Sequence, residues 1–184
     1  MVALAGRLGD SLERRRWWLA TAESCTGGYL AHLVTNVPGA SKFFDRGFVT
    51  YSNRAKVAHL GVSEASLEKF GAVSERVAAE MARGLSRVTG AQACLAVTGI
   101  AGPSGGTPAK PVGTVFLAFS VAGVLSVEEG HYLVGRRAFK DAVAARALGG
   151  LLELVEAHAE RGKDSKAETN RSTSSPDADS STEA

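Results

Sequence analysis

The sequence predicts an α/β fold: a mixed, mostly parallel sheet covered by helices on both faces, in three layers. Two patterns point to it. Apolar runs of strand length alternate with stretches whose apolar residues recur every three or four positions. Only once, late in the chain around Ala122-Gly123, do two strand-like runs follow each other directly as a hairpin. Strands separated by helices pair in parallel beneath those helices, and the hairpin makes the sheet mixed. With 184 residues and 45% hydrophobic content, the chain suits one core and one site, at roughly 100–200 residues per domain.

The elements follow in order. Leu4, Leu8 and Leu12 mark a first amphipathic helix, and Trp17 to Ala22 a short buried strand. A helix is expected from about Cys25 to Val37, closed by Pro38-Gly39. Phe44 to Ser52 reads as a strand, Asn53 to Leu60 as a short helix, and 63–70 and 75–89 as two more. In the last of these Val77, Met81, Leu85 and Val88 form the core stripe. Ala93 to Thr98 is a strand entering a glycine-rich loop, Gly113–Val121 and Val124–Val134 form the hairpin, and 137–158 is the final helix. The domain therefore spans 1–160. Residues 161–184, almost free of large apolar side chains and rich in Ser, Thr, Asp and Glu, are expected to be a disordered polar tail.

Composition excludes several classes. A net charge of +2 offers no broad basic face for nucleic acid, and the Arg14-Arg15-Arg16 cluster reads as a solvated helix end. No apolar run approaches the ~20 residues of a membrane-spanning helix. The start, Met1 to Arg7, carries neither a secretory leader nor a lipidation signal, so a cytoplasmic location is expected. Cys25 and Cys94 should then stay reduced. The four histidines and two cysteines lack metal-ligand spacing, so neither a metal nor another cofactor is expected.

Chemistry is expected at three turns that end strands, because in such sheets the ligand crevice lies beyond the carboxyl ends of the strands. The first is Ala22-Glu23-Ser24-Cys25-Thr26-Gly27-Gly28, where the Ser24 hydroxyl would lie near the free N–H groups of a helix start. Ser24 or Thr26 could equally be a helix cap there. The second, Phe48 to Lys56, puts Lys56 one turn into a helix, able to face the same crevice as Tyr51. To act as a base, Lys56 must lose roughly 3 units from about 10.4, a cost of about 4 kcal/mol that burial can supply. Tyr51 could relay the proton or simply pack. The third, Thr98 to Gly106, brings bare backbone N–H groups toward an anion, without P-loop or dinucleotide-fold spacing; otherwise it is a flexible surface loop. Together the three make the parts of an acyl-transfer site.

These residues resemble the C-terminal domain family of the competence and damage-inducible protein CinA, whose stand-alone members are nicotinamide-nucleotide amidases. The motifs that carry the resemblance are Thr21 to Gly28, Arg46 to Lys56, Gly71-Ala72-Val73-Ser74, Gly99 to Pro103 and Lys110 to Val115, within Leu4 to Val155. The resemblance implies hydrolysis of the carboxamide of nicotinamide mononucleotide to nicotinic acid mononucleotide and ammonia, in pyridine nucleotide salvage, by a metal-free Ser-Lys mechanism. It implies Ser24 as nucleophile and Lys56 with Tyr51 as base and assistant. Glu23, Cys25, Thr26, Thr98, Gly99, Ala101 and Gly102 would surround the substrate. Arg137, after Gly135, would hold its phosphate, with Arg136 where the family has an acidic residue. Many members carry a larger domain ahead of this one, and with roughly twenty residues before Ser24 the amidase module alone is expected here. Two other readings remain: a non-catalytic module associated with competence or DNA damage, and a cysteine hydrolase using Cys25 with His32 or His59. The partner expected is a small pyridine nucleotide, with self-association possible.

Overall fold

The computed structural model describes residues 1–172, with side-chain environments through His158. Its order is α1 (Val2–Arg15), β1 (Leu19–Glu23), α2 (Tyr29–Thr35), a short 3-10 turn, β2 (Phe44–Val49), α3 (Asn53–Leu60), α4 (Glu64–Phe70), α5 (Glu75–Thr89), β3 (Ala93–Gly99), β4 (Thr114–Val121), β5 (Val124–His131) and α6 (Arg136–Ser172). The helical backbone of α6 thus runs past Arg161, where the tail was expected to begin. The remainder of that expected tail, 173–184, lies outside the described residues.

The five strands lie in the order β2-β1-β3-β4-β5. β1 pairs in parallel with both β2 and β3, while β4 runs antiparallel to β3 and β5 antiparallel to β4. The sheet is mixed, as the pattern of runs predicted, with four strands pointing one way. Every residue of β1 and β4 is buried, because helices cover both faces. Alternate residues of the central strands face opposite layers. Leu95, Val97, Leu117 and Phe119 meet Leu8, Leu12 and the Val143–Val155 face of α6 on one side. On the other, Ala20, Ala22, Ala96 and Ala118 present small side chains to Val77, Met81 and Leu85 of α5.

Two expectations about the elements are corrected. α2 begins at Tyr29, not Cys25, because Gly27 (φ +64°) and Gly28 (φ +93°) both adopt left-handed backbone that cannot belong to a right-handed helix. Val88 is exposed rather than part of the α5 stripe, since its position one residue short of the helix end turns it off the sheet.

Register fixes what matters for function. Glu23 is level with Val49 of β2 and Val97 of β3, so all three parallel strands end along one edge. β5 runs with them and ends at His131, opposite Thr114, which delivers the start of α6 to that same edge.

Candidate active site

Three turns leave that edge and meet over one cavity of about 270 Å³, lined among others by Ser24, Cys25, Tyr51, Lys56, Ala72, Thr98, Gly99, Ala101, Gly102 and Arg136. Ser24 follows β1 directly, and its N–H donates to the Val97 carbonyl at 3.0 Å, which pins this first turn to the neighbouring strand. Lys56 reaches the same point from the first turn of α3. That helix is started by Ser52, whose hydroxyl accepts from the Ala55 N–H at 3.1 Å.

Lys56 is 1% exposed, and its amine lies 3.0 Å from Ser24 Oγ. It also lies 2.8 Å from the Thr50 carbonyl and 3.4 Å from that of Tyr51. Burial pushes it from its ordinary 10.5 down to about 8. Geometry complements this shift. A neutral amine has two hydrogens and one lone pair; with the hydrogens given to the two carbonyls, the lone pair is left for the Ser24 O–H, the orientation a general base needs.

Cys25 lines the cavity but burial pushes its thiol up to about 12, so it stays protonated and unreactive near neutrality. Its suggested partners are elsewhere: His32 is exposed beside Tyr29 and Asn36, and the His59 ring lies against Phe48. The cysteine-hydrolase alternative therefore has neither nucleophile nor base.

The third turn brings Thr98, Gly99, Ala101 and Gly102 to the cavity as expected. The Thr98 hydroxyl donates to the Ala72 carbonyl at 2.8 Å, tying the Gly71–Ser74 turn to the cavity wall. Ala72, Val73, Ile100, Ser104 and Gly105, not singled out from the sequence as site residues, complete the lining.

Four expectations about individual side chains are corrected. Tyr51 does not lie between Lys56 and Ser24, which touch directly; the residue is 58% exposed and its hydroxyl accepts from Arg136 at 2.9 Å. Glu23 does not line the cavity. It is fully buried beneath the turn, and its carboxylate accepts from the N–H groups of Gly28, Leu30 and Ala31. The start of α2 is therefore already occupied and is not free to stabilise charge on Ser24. Thr26 is buried outside the lining. Arg137 faces a separate cavity of about 210 Å³ with Tyr29, Lys140 and Asp141. The arginine at the catalytic cavity is Arg136, whose guanidinium donates to the Gly102 carbonyl at 2.9 Å as well as to Tyr51.

Among the described residues, Arg136 and Lys56 are the charged side chains that line the cavity, and no acidic one lines it. The Arg136 charge meets only neutral acceptors, which suits a ligand carrying an anionic group near the rim. Among the described residues no cluster of His, Cys, Asp and Glu could hold a metal ion, and no helix is long and apolar enough to cross a membrane.

Fold and site together define an α/β domain with a serine hydroxyl against a buried lysine amine under a glycine-rich loop. The chain belongs to the CinA C-terminal domain family, whose model matches residues 1–155. It is 46% identical over 154 residues to the nicotinamide-nucleotide amidohydrolase PncC of Pseudomonas putida, covering 84% of this chain and 96% of that protein. With the protein of the same name from Enterobacter agglomerans it shares 53% identity over 117 residues, 64% of this chain and 71% of that one. Among solved structures, the competence/damage inducible protein CihA of Agrobacterium tumefaciens superposes with a TM-score of 0.81 at 42% identity, over 83% of this chain and 94% of the other. Family and fold are those that the sequence motifs implied.

Proposed function

We propose that the chain is a nicotinamide-nucleotide amidohydrolase, which deamidates nicotinamide mononucleotide to nicotinic acid mononucleotide and ammonia. The observation that carries the mechanism is the 3.0 Å contact between Ser24 Oγ and a buried Lys56 amine with a lowered proton affinity. The names of the two PncC relatives support the substrate.

Neutral Lys56 takes the Ser24 proton as Oγ attacks the carboxamide carbon. The N–H of Cys25, a residue of the cavity lining that donates to no backbone carbonyl among the described residues, is the donor assigned to the developing oxyanion. Lys56 then returns the proton to the departing nitrogen, which leaves as ammonia. Water, deprotonated by the same amine, hydrolyses the acyl-enzyme and releases the carboxylic acid. Arg136 at the rim holds the phosphate, and the exposed Tyr51 ring, fixed by Arg136, flanks the entrance. Such a substrate is charged and does not cross a bilayer unaided, consistent with a cytoplasmic enzyme.

The test is ammonia release from nicotinamide mononucleotide by the wild type beside Ser24→Ala and Lys56→Ala. Release by the wild type and loss in both variants is expected. Absence of release from the wild type would discard the substrate, and retention of most of the rate in either variant would discard its role.

A further inference from the structure

Glu23 is joined to the nucleophile by one peptide bond, yet it touches no part of the cavity. It has no exposed surface and takes part in no ion pair among the described residues. Its Oε2 accepts from Gly28 and Leu30 at 3.0 Å each, and its Oε1 from Ala31 at 2.9 Å. These donors lie on the far limb of the turn that begins at Ser24, so the side chain closes a ring from residue 23 to residue 31 around the nucleophile.

Its backbone acts on the other partner. The Glu23 carbonyl accepts from the Thr50 N–H at 2.8 Å, and the Thr50 carbonyl in turn accepts from Lys56 Nζ at 2.8 Å. A helix cap alone needs one or two acceptor oxygens on a small polar side chain, commonly Ser, Asn or Asp. Here a carboxyl group is fully buried, with no cation beside it among the described residues, and is shared among three donors, a costly arrangement for capping seven residues of helix. Its effect on the turn is selective: Gly27 donates to Ser24 O, Gly28, Leu30 and Ala31 to the carboxylate, and the N–H groups of Cys25 and Thr26 are left without a backbone acceptor.

We infer that Glu23 is a positioning residue for the Ser24 reaction, its carboxylate holding the turn so that the hydroxyl meets Lys56. The inference rests on the Ser24–Lys56 reading above. It requires acceptor oxygens on both arms of the side chain, which a carboxyl group supplies to the three donors and an amide does not.

The experiment compares the full chain with Glu23→Gln and Glu23→Ala, each checked for folding by circular dichroism. The readouts are the rate at which a fluorophosphonate probe modifies Ser24, followed by intact mass, and kcat and KM for ammonia release across the neutral to alkaline range. Glu23→Gln keeps the shape but sets an NH₂ group against one or more N–H donors. It should slow both labelling and kcat about tenfold, since small misplacements of reacting groups have effects of this order. KM should stay within about twofold and the midpoint of the pH profile unmoved, because Lys56 keeps its burial; Glu23→Ala should be slower still. A merely structural role would lower the melting temperature and leave the rate of the folded protein alone. Folded variants that label at the wild-type rate, a loss confined to KM, or a moved midpoint would each overturn the inference. If Glu23→Ala does not fold, the isosteric Gln variant decides. A wild type that the probe does not modify at Ser24 would instead sink the Ser-Lys reading, and this inference with it.

Discussion

If Lys56 is the base, turnover must follow its deprotonation, and the structure sets both direction and scale. With an amine near 8, only the neutral form can accept the Ser24 proton, so activity rises with pH. The neutral fraction is about one tenth at pH 7 and about nine tenths at pH 9, so kcat should climb roughly tenfold between them, with a limiting slope of one on the acid side. Stability should move the same way. Between about 8 and the ordinary 10.5, the unfolded chain binds a proton at this lysine that the folded chain does not, so stability increases with pH across that window. Integrating the two titrations gives a gain of about 2.5 kcal/mol from pH 7 to pH 10, relative to a Lys56→Met variant that has no such group. The assays are ammonia release at saturating substrate and urea unfolding of both proteins at each pH. A flat rate from pH 6 to 9, or a midpoint near 10 as for a solvated lysine, would refute the argument, as would parallel stability curves for wild type and Lys56→Met.

Four further outcomes follow from the geometry. Ser24→Ala should lower turnover about 10³-fold or more while the thermal melt stays close to wild type, because only one hydroxyl is removed. Arg136→Ala removes a charge-assisted contact worth about 1.5–3 kcal/mol, so KM for nicotinamide mononucleotide should rise roughly ten- to a hundredfold; KM for the unphosphorylated riboside should not change, and Arg137→Ala should do far less to either. Cys25→Ser should retain activity within a few-fold, and iodoacetamide should modify Cys25 slowly at pH 8, as mass spectrometry would show, because the thiol is buried and protonated. Gly84 in α5 packs against the end of α3 so closely that an added Cβ would press into the Leu60 carbonyl. Gly84→Ala should cost about 1–3 kcal/mol and lower the calorimetric melting temperature by several degrees, with activity below that temperature largely kept.

Much of this site was legible because its parts sit where periodic patterns break. The end of the short run at Glu23, the end of the strand near Tyr51 and the glycines after Thr98 are all visible in the sequence, and parallel pairing of the three strands necessarily gathers them at one edge. Lys56 was placed correctly because Asn53–Leu60 is a helix of the expected bounds. Other residues depended on information that spacing does not hold. Successive positions on a helix differ by about 100°, so which of Arg136 and Arg137 faces the crevice is decided by how many residues bridge β5 to α6. Glu23 reads as a polar residue at a mouth, yet its destination is set by the left-handed path of Gly27 and Gly28, which swings three N–H groups back over its carboxylate. The position of the Tyr51 hydroxyl likewise depends on a guanidinium 85 residues away.

The polarity of the sheet also has a practical side. Everything reactive clusters where β1, β2, β3 and β5 finish, whereas the tight bend at Ala122-Gly123 sits where β4 finishes and β5 starts, at the opposite rim and open to solvent. A reporter, affinity handle or whole guest protein spliced into that bend would be held a full strand length from the chemistry. Enzyme chains could thus be immobilised on a surface or fused into cascades through this point with their entrances all facing outward.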